Sequence, residues 1–396
     1  MVYLQSGGPT AVINCSLYGA IQEAKKHPEI GGIYGSLNGI EGLINDDLID
    51  LRAEDDDTIE LIKQTPGAIL GTTRFKMPAD LGADLYRKVC DTVKAHDIGF
   101  IFVNGGNDSM DTCDKLSKLF AQRGLPTKVI GIPKTVDNDL AITDHCIGYG
   151  SAAKYVINTV KAICVDAACY KKGKVFIVEI MGRNAGWLTA SVDLLPIGCR
   201  PDLIYLPENV FVMDNFLRDL NSIYQVKGHV IIAISEGIVF ERDTSTARVD
   251  AFGHIQLGGA ADALSAVVER RLGLPTRSVE LSLPQRADPI LVSKVDQEEA
   301  FACSQKAVQS ALSGETAKMV IIKRLSDKPY KVEYALEDVS KIANAEKEVP
   351  SSMMRGITRL DDSFREYLRP LIDGEVHPRF KDGVFESAVL KKAKVE

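Results

Sequence analysis

Short apolar runs alternate with longer amphipathic segments along most of the chain. Four of the runs have the length and the β-branched content of buried strands, and segments with apolar positions three or four residues apart lie between them. Such alternation is typical of α/β proteins, in which helices cover both faces of a mainly parallel sheet. The pattern predicts strands over residues 100–103, 128–132, 175–180 and 229–234, and helices over 79–96, 109–123, 151–168 and 260–272.

The length of the chain predicts more than one domain. With 396 residues it exceeds the usual size of a single domain, so about two are expected. A first cluster of Gly-rich loops ends near residue 140, and the chain becomes more polar after residue 323. We therefore predict a first lobe over 1–140, a second over 141–323 with the chain crossing back between the lobes, and a C-terminal extension over 324–396.

Composition and charge narrow the classes of function. The formal net charge is −7, so no general positive field would attract nucleic acid or an anionic membrane surface. No apolar run approaches the roughly 20 residues that span a bilayer, and the first residues show no signal-peptide pattern. The eight cysteines lack metal-ligand spacing and predict small core residues in a reducing compartment. We expect a cytoplasmic protein with no nucleic-acid or membrane partner.

Four loops carry candidate chemistry, because ligands of open α/β sheets bind where the strands end. Glycines let backbone N–H groups approach an anion, and a helix N-terminus adds positive potential. Each loop alone also has an ordinary structural explanation, which is a tight turn for the glycine and D-N-D loops and a solvated side chain for the arginine. Together they supply backbone donors, cations, oxygens for Mg²⁺ and a base, the parts of a phosphoryl-transfer site. The loops are QSGGPT at 5–10, GTTR at 71–74, NGGNDSM at 104–110 and PKTVDND at 133–139.

One further glycine pattern does not predict a ligand site. Residues 148–153, GYGSAA, match the G-x-G-x-x-A fingerprint of dinucleotide-binding folds. They follow the polar residues 144–146 instead of a buried strand, and no strand ends in an acidic residue about 20 positions later. A dinucleotide site is therefore not expected there.

Five linked motifs resemble the phosphofructokinase family in order and spacing, from about residue 3 to residue 323. They are Gly7-Gly8, GTTR at 71–74, GGNDS at 105–109, PKTVDND at 133–139 and Met181-Gly182-Arg183. The resemblance implies two Rossmann-like three-layer lobes with mainly parallel sheets and an active site in the cleft between them. It further implies that the lobe over 1–140 binds the phosphoryl donor with Mg²⁺, and that the lobe over 141–323 mainly binds fructose 6-phosphate.

The resemblance also implies roles for individual residues. Asp137 corresponds to the base that takes the proton from the 1-hydroxyl of the sugar, and Thr135 contacts the sugar phosphate. Glu236, after an apolar run, resembles the carboxylate that holds sugar hydroxyls. The substrate-binding set implied in this way is Thr135, Asp137, Met181, Gly182, Arg183, Glu236, Arg277 and Arg286.

Two segments compete to supply the arginines for the 6-phosphate. Residues 252–259, FGHIQLGG, resemble the family's G-H-I-Q-R-G-G but place Leu257 where the arginine stands. Residues 276–286 offer Arg277 and Arg286 at the family's nine-residue separation, and we prefer them because a dianionic phosphate needs cations. The family often supplies one arginine from a neighbouring subunit, so a role across an interface is an alternative for Arg277. The implied assembly is a homodimer or homotetramer.

Two positions indicate pyrophosphate as the phosphoryl donor. Members that use ATP resemble G-G-D-G-S and P-G-T-[IV]-D-N-D, whereas pyrophosphate users carry a second acidic residue and a lysine, here Asp108 and Lys134. A carboxylate about 4 Å from the α-phosphate of ATP would repel it by roughly 4 kcal/mol at an effective dielectric near 20. Pyrophosphate ends before that point, and Lys134 can stabilise its charge in the transition state. The predicted donor set is Gly8, Arg74, Gly106, Asp108 and Lys134, and the catalytic set is Asp137, Lys134 and Asp108.

Metal binding is predicted at Asn107 and Asp108. Many family members have Asp close to Mg²⁺ at the position of Asn107, and Asn is a weaker, neutral oxygen ligand. Either Asp108 or a water shell takes over part of the metal binding, or the site is impaired.

The activity implied is Mg²⁺-dependent, reversible phosphoryl transfer from pyrophosphate to fructose 6-phosphate, giving fructose 1,6-bisphosphate and phosphate, in glycolysis and gluconeogenesis. The alternatives are an ATP-dependent 6-phosphofructokinase and a non-catalytic regulatory subunit of the family. Intact Asp137, Lys134 and Arg74 argue against the regulatory subunit.

Overall fold

The computed structural model describes residues 1–240 and 259–395. Their strands are β1 (Val2–Gln5), β2 (Tyr34–Ser36), β3 (Leu48–Asp50), β4 (Phe100–Gly105), β5 (Lys128–Pro133), β6 (Val175–Ile180), β7 (Leu203–Tyr205), β8 (Val230–Ser235), β9 (Thr276–Glu280), β10 (Lys318–Asp327), β11 (Tyr330–Asp338), β12 (Phe380–Lys381) and β13 (Val384–Phe385).

The α-helices of these residues are α1 (Ile13–Ala24), α2 (Ile40–Asn45), α3 (Asp56–Ile62), α4 (Asp84–Ala95), α5 (Asn107–Gln122), α6 (Tyr149–Ala167), α7 (Trp187–Ala190), α8 (Met213–Lys227), α9 (Ala260–Leu272), α10 (Pro284–Ala287), α11 (Lys294–Leu312) and α12 (Asp362–Leu368). Short 3₁₀ helices lie at Leu51–Ala53, Ser191–Leu194, Val339–Lys341, Ser351–Met353 and Arg369–Ile372.

Two separate sheets organise the molecule. The larger has the strand order β11-β10-β5-β4-β1-β2-β3, with parallel pairing from β10 to β2 and antiparallel strands at both edges. The smaller has the order β7-β8-β6-β9 and is parallel throughout. The predicted α/β class with mainly parallel sheets is therefore confirmed.

Helices cover both faces of each sheet, as alternation along the strands requires. In β1, Val2 and Leu4 enter the hydrophobic core to which α4 and α5 contribute, whereas Tyr3 enters the core formed with α1 and α11. In β6, Ile177 faces the core with α8 and α9, and Val178 faces the core with α6. Burial on both faces explains why these strands read as nearly continuous apolar runs in the sequence.

All four predicted strands and all four predicted helices are present, and three helix starts differ, since α4 begins later than expected and α5 and α6 each begin two residues earlier. The predicted start of a helix at residue 79 is wrong, because α4 begins at Asp84. The carboxylate of Asp80 accepts a hydrogen bond from the Gly82 N–H at 2.9 Å, and the chain makes a turn there. Helix α5 begins at Asn107, two residues earlier than expected, so Asn107 and Asp108 lie in its first turn.

The chain leaves the larger sheet after β5, forms the smaller sheet, and then returns to the larger one. β1 to β5 end at Pro133 in the larger sheet, and β6 to β9 form the smaller one. The chain then returns to the larger sheet as β10 and β11. Part of the segment predicted as a C-terminal extension thus forms an edge strand of the first lobe.

The cysteines and the lengths of the apolar helices can be compared directly with the sequence. All eight cysteines are free, and six of them are buried. Within residues 1–240 and 259–395, no helix is both long enough and apolar enough to cross a membrane.

Candidate active site

A cavity of about 830 Å³ lies between the two sheets. It is lined by the loops that follow β1, β4 and β5 of the larger sheet and β6, β8 and β9 of the smaller one. All six strands run parallel to their neighbours in these sheets, so the cavity lies where their carboxyl ends meet.

Most of the predicted site residues share this cavity. Gly182 and Arg277 are the two that do not line it. Gly182 lies just behind the lining, and its backbone N–H donates to Glu236 Oε1 at 3.3 Å. The predicted residues in the lining are Gly8, Arg74, Gly106, Asn107, Asp108, Lys134, Thr135, Asp137, Met181, Arg183, Glu236 and Arg286.

The ammonium group of Lys134 lies beneath the first glycine loop. Its Nζ donates to Ser6 O at 2.8 Å and to Gly8 O at 2.7 Å, and the residue is only 2% exposed. A Cβ at Gly7 would lie 3.3 Å from this Nζ, and Gly7 has a φ of +77°, so glycine is favoured there on two grounds. Burial and then the positive charge of Arg286 lower the pKa of Lys134 to about 7.

Arg286 approaches the same loop from the smaller lobe. A Cβ at Gly8 would lie 2.9 Å from its Nη1. Burial, and next the charge of Arg74, lower the pKa of the Arg286 guanidinium. We call Arg74, Lys134 and Arg286 the cationic group. These three side chains come from different loops and interact electrostatically beside the glycines, an arrangement that suits a polyphosphate.

The other predicted arginine, Arg277, lies exposed on β9, an edge strand of the smaller sheet. The competing segment 252–259, with Leu257, lies outside the described residues. The contact of Arg277 with a sugar phosphate therefore stays a prediction. Its position at an exposed edge is compatible with a role in the site of a neighbouring subunit.

The D-N-D loop after β5 presents two carboxylates to the cavity. Asn138 has a φ of +55°, a conformation that asparagine tolerates better than most residues. Its Oδ1 accepts from the Cys146 N–H at 2.9 Å, and its Nδ2 donates to Tyr367 Oη at 2.9 Å. Asp137 and Asp139, on either side of this fixed asparagine, both line the cavity.

Four carboxylates crowd one side of the cavity, and we call Asp137, Asp139, Glu236 and Glu346 the acidic group. Burial raises the pKa of Asp137, although the charge of Arg183 opposes this. Burial, followed by the charges of Asp137 and Glu346, raises the pKa of Asp139. Burial and the charge of Asp137 raise the pKa of Glu236 to about 7. Carboxylates with raised pKa values are stronger bases at neutral pH, as proton abstraction from a sugar hydroxyl requires.

Asn107 and Asp108 face the cavity from the first turn of α5. Both polar atoms of the Asn107 amide bind the backbone of a distant segment, because Nδ2 donates to Ala345 O at 2.9 Å and Oδ1 accepts from the Asn344 N–H. The role of Asn107 and Asp108 as metal ligands stays a prediction. These contacts show that the Asn107 side chain holds the backbone of residues 344 and 345 beside the cavity.

Sequence motifs missed several residues of the cavity, and two of these come from the C-terminal part of the chain. Asn344 and Glu346 line it, although they lie in the segment predicted as an extension. Glu346 accepts hydrogen bonds from Asn184 Nδ2 at 3.0 and 3.1 Å. No local motif marks either residue, since they reach the cavity only because β10 and β11 bring the chain back to the larger sheet.

The GYGSAA stretch, where no dinucleotide site is expected, lies at the start of α6, and a carboxylate occupies the N-terminus of this helix. Asp296 accepts hydrogen bonds from Gly148 N at 2.8 Å, from Ser151 N at 2.9 Å and from Ser151 Oγ at 2.5 Å. A side chain of the protein thus takes the place that an anion would occupy at this helix.

The carboxylates of the cavity fit Mg²⁺, although within the described part of the chain no group of three or more His, Cys, Asp or Glu side chains is arranged to hold a metal. Magnesium is usually held by one or two carboxylates together with substrate phosphates, without a complete protein cage. Asp139 Oδ1 is buried without a hydrogen-bond partner among the described residues. Asp139 and Asp108 line the same cavity, so two carboxylates face one space.

A cleft between two α/β lobes, with a glycine-lined cationic group facing an acidic group, defines an enzyme that transfers phosphoryl groups. The family model described as Phosphofructokinase matches residues 1–286, and the chain belongs to the phosphofructokinase family. The resemblance found in the sequence is therefore confirmed.

Full-length relatives extend this match. The pyrophosphate–fructose 6-phosphate 1-phosphotransferase of Halomonas elongata is 40% identical, over 100% of this chain and 96% of its own length. The protein of the same name from Methylococcus capsulatus is 38% identical, over 98% and 95%. The crystal structure of a pyrophosphate-dependent phosphofructokinase from Marinobacter aquaeolei superposes with a TM-score of 0.91 at 39% identity, covering 100% of this chain and 97% of that one. These matches also confirm the predicted fold.

Proposed function

We propose that this protein is a pyrophosphate-dependent 6-phosphofructokinase, which transfers a phosphoryl group from pyrophosphate to the 1-hydroxyl of fructose 6-phosphate. The observation that carries the proposal is the pairing of Lys134, buried under the glycine loop, with Asp108 in the same cavity. The names of the Halomonas and Methylococcus relatives support the same donor and acceptor. The products are fructose 1,6-bisphosphate and phosphate, and the reaction is reversible.

In this mechanism Asp137 is the base. Its carboxylate removes the proton from the 1-hydroxyl of the sugar, and the resulting oxygen attacks the nearer phosphorus of pyrophosphate. A P–O bond to the sugar forms while the bond to the bridging oxygen breaks, and that electron pair leaves with phosphate. Burial, together with the charge of Glu346, raises the pKa of Asp137, which favours this proton transfer.

The cationic group and the glycine loops stabilise the developing charge. Lys134, Arg74 and Arg286 line the same cavity as Gly8, and Gly106 and the first residues of α5 also line it, where a helix N-terminus favours an anion. Pyrophosphate has no adenosine that binds elsewhere, so charge contacts of this kind must position it.

Magnesium fits the donor side of the cavity. Asp108 and the unpartnered Oδ1 of Asp139 would hold it together with donor oxygens, and Asn107 could add a neutral oxygen. When bound, Mg²⁺ neutralises charge on the donor and the leaving phosphate.

Assembly and location complete the proposal. We expect a homodimer or homotetramer in the cytoplasm, with Arg277 of β9 reaching the sugar phosphate of a neighbouring subunit. The exposed position of Arg277 supports a contact with a neighbouring subunit. The free thiols of the cysteines support a reducing compartment such as the cytoplasm.

The deciding experiment compares the phosphoryl donors. Purified protein with Mg²⁺ and fructose 6-phosphate is given pyrophosphate or ATP, and fructose 1,6-bisphosphate formation is followed; the reverse reaction is started with fructose 1,6-bisphosphate and phosphate. We expect turnover with pyrophosphate in both directions. Efficient turnover with ATP and none with pyrophosphate would reject the assignment, and no turnover with either donor would favour a regulatory subunit.

A further inference from the structure

Residues 344–347 form a short segment at the wall of the cavity, which Asn344 and Glu346 line, and we call this segment the strap. It follows the 3₁₀ helix Val339–Lys341 and lies beyond residue 286, where the family match ends. We propose that the strap is a positioning element that couples the donor loop to the sugar loop, with Asn107 as its anchor at one end and Glu346 as its contact at the other. The identity of the two substrates in this inference rests on the function proposed above.

The donor end of the strap requires an amide at residue 107. Asn107 donates to Ala345 O and accepts from the Asn344 N–H, and only a side chain that is both donor and acceptor makes this pair. Asn344 itself has a φ of +63°, which turns the strap at the point where its N–H faces Asn107. The asparagine that looks weak as a metal ligand is well suited as an anchor.

The backbone of the last two residues of the strap pairs with the loop that carries the base. Glu346 and Leu140 form an antiparallel bridge, and the Lys347 N–H donates to Asp139 O at 2.7 Å. Because these are backbone contacts, the position of the strap is linked to that of the D-N-D loop whatever side chains it carries.

The sugar end of the strap holds the loop after β6. Both carboxylate oxygens of Glu346 accept from Asn184 Nδ2, and Asn184 directly follows Arg183, a predicted ligand of the sugar phosphate. Displacement of the strap at Asn107 should therefore reach Arg183, although no contact between Asn107 and that loop is needed.

One aromatic side chain reports on the strap directly. Trp187 Nε1 donates to Lys347 O at 2.8 Å, and the Lys347 ammonium lies 5.2 Å from the centre of the indole ring. Trp187 is the single tryptophan of the chain. Its fluorescence thus follows the strap in the absence of substrates and without any measurement of activity.

The variant Asn107→Asp separates anchoring from metal binding. A carboxylate keeps the oxygen that Mg²⁺ prefers but loses the donor to Ala345 O. We expect a changed Trp187 emission or acrylamide quenching and a rise of about threefold to tenfold in the KM for fructose 6-phosphate, the range given by the loss of one hydrogen bond. The apparent affinity for Mg²⁺ should be kept or increased.

The other end of the strap gives a second, independent variant. Glu346→Ala removes the contact with Asn184 and should raise the same KM by a similar factor. In the double variant the rise should not exceed that of the larger single variant, because both changes break one connection. Glu348→Gln is the control, since Glu348 is exposed on the same segment and does not line the cavity; its fluorescence and KM should equal those of the parent.

The outcomes distinguish this inference from the proposed function. An unchanged Trp187 signal in Asn107→Asp, or effects of the two substitutions on the sugar KM that simply multiply, would overturn the coupling. If the parent protein did not use pyrophosphate, the function would be rejected, while the fluorescence would still decide whether Asn107 holds the strap. If Asn107→Asp fails to fold, Glu346→Ala alone must raise the KM, or the inference is rejected.

Discussion

The cationic group and the acidic group face the same cavity but differ in how the chain builds them. Lys134 and Arg286 approach the backbone of a glycine loop, where any side chain at residue 7 or 8 would crowd them. The acidic group instead consists of carboxylates from three separate regions, and burial, followed by the like charges of neighbouring carboxylates, raises the pKa values of Asp137, Asp139 and Glu236. One side is therefore shaped by close packing against the backbone, and the other by like charges.

This difference assigns separate tasks to the two sides. Cations next to glycines stabilise a polyphosphate whose charge is already present, so their contribution depends on position. Carboxylates with raised pKa values accept protons at neutral pH, so their contribution depends on charge. A substitution that removes charge but keeps shape should therefore have its largest effect on the acidic side. A substitution that changes shape but keeps charge should affect the cationic side.

The largest effect is expected from Asp137→Asn, which removes the proposed base and keeps its shape. The kcat should fall by about 10²- to 10⁴-fold, the usual contribution of general base catalysis. Binding of fructose 6-phosphate, measured by calorimetry, should stay within about tenfold because the loop is held by Asn138. Asp91→Asn is the matched control, because the Asp91 side chain is exposed on the surface of α4. If Asp137→Asn kept most of the kcat of the parent protein, Asp137 would not be the catalytic base.

The cationic side should show its own pH dependence through Lys134. Its pKa is lowered to about 7 by burial and by Arg286, so the free enzyme loses this positive charge as the pH rises through that value. After correction for the ionisation of pyrophosphate, kcat/KM for the donor should fall above about pH 7. The decline in kcat should begin at higher pH, because bound pyrophosphate favours the charged lysine.

Lys134→Met tests whether that decline belongs to this lysine. The substitution should lower kcat/KM for pyrophosphate by about 10²- to 10³-fold, as expected for loss of a group that stabilises transition-state charge. It should also abolish the decline above pH 7. Persistence of the same pH dependence in the variant would assign it to another group, and thermal unfolding would show whether the variant is folded.

Sequence patterns predicted the cationic side better than they predicted the acidic side. Gly8, Lys134 and Arg286 lie in short motifs, and the apolar run at 128–132 correctly predicted that Lys134 follows a parallel strand. Strand burial made those runs easy to recognise, because both faces of the sheets are covered. The fold class followed from local pattern and resemblance alone, and all but two of the predicted site residues line the cavity, although their roles stay predictions.

Glu346 shows why the acidic side was incomplete. It reaches the cavity through long-range pairing, since β10 lies beside β5 and the strap pairs with Leu140. Such contacts depend on the packing of distant segments and leave no periodic or motif signature in the chain. The same applies to Asn107, whose partners at residues 344 and 345 are far away in sequence.

A smaller effect is expected from removing the charge of Asp108, the one acidic residue predicted to select the donor. Asp108→Gly and Asp108→Asn should each raise kcat/KM for ATP by about tenfold to hundredfold, less than the unscreened repulsion because the residue is only half-buried. Any loss with pyrophosphate reports on metal binding, so the two donors are measured in parallel. Unchanged ATP affinity in both variants would contradict the idea that this carboxylate repels the longer donor.

The smallest effect is expected from Gly8→Ala, which changes shape without charge on the cationic side. The new methyl group would lie 2.9 Å from Arg286 Nη1, and the flexible guanidinium can move away by a few tenths of an ångström. A displacement of about 1 Å costs up to about hundredfold, so this smaller shift should raise the KM for pyrophosphate by about threefold to tenfold. Gly99→Ala is the control, because a Cβ there meets nothing within 4 Å. Equal KM values in the two variants would mean that the close approach of Arg286 to the glycine loop does not matter for binding, and that charge alone governs the cationic side as it does the acidic one.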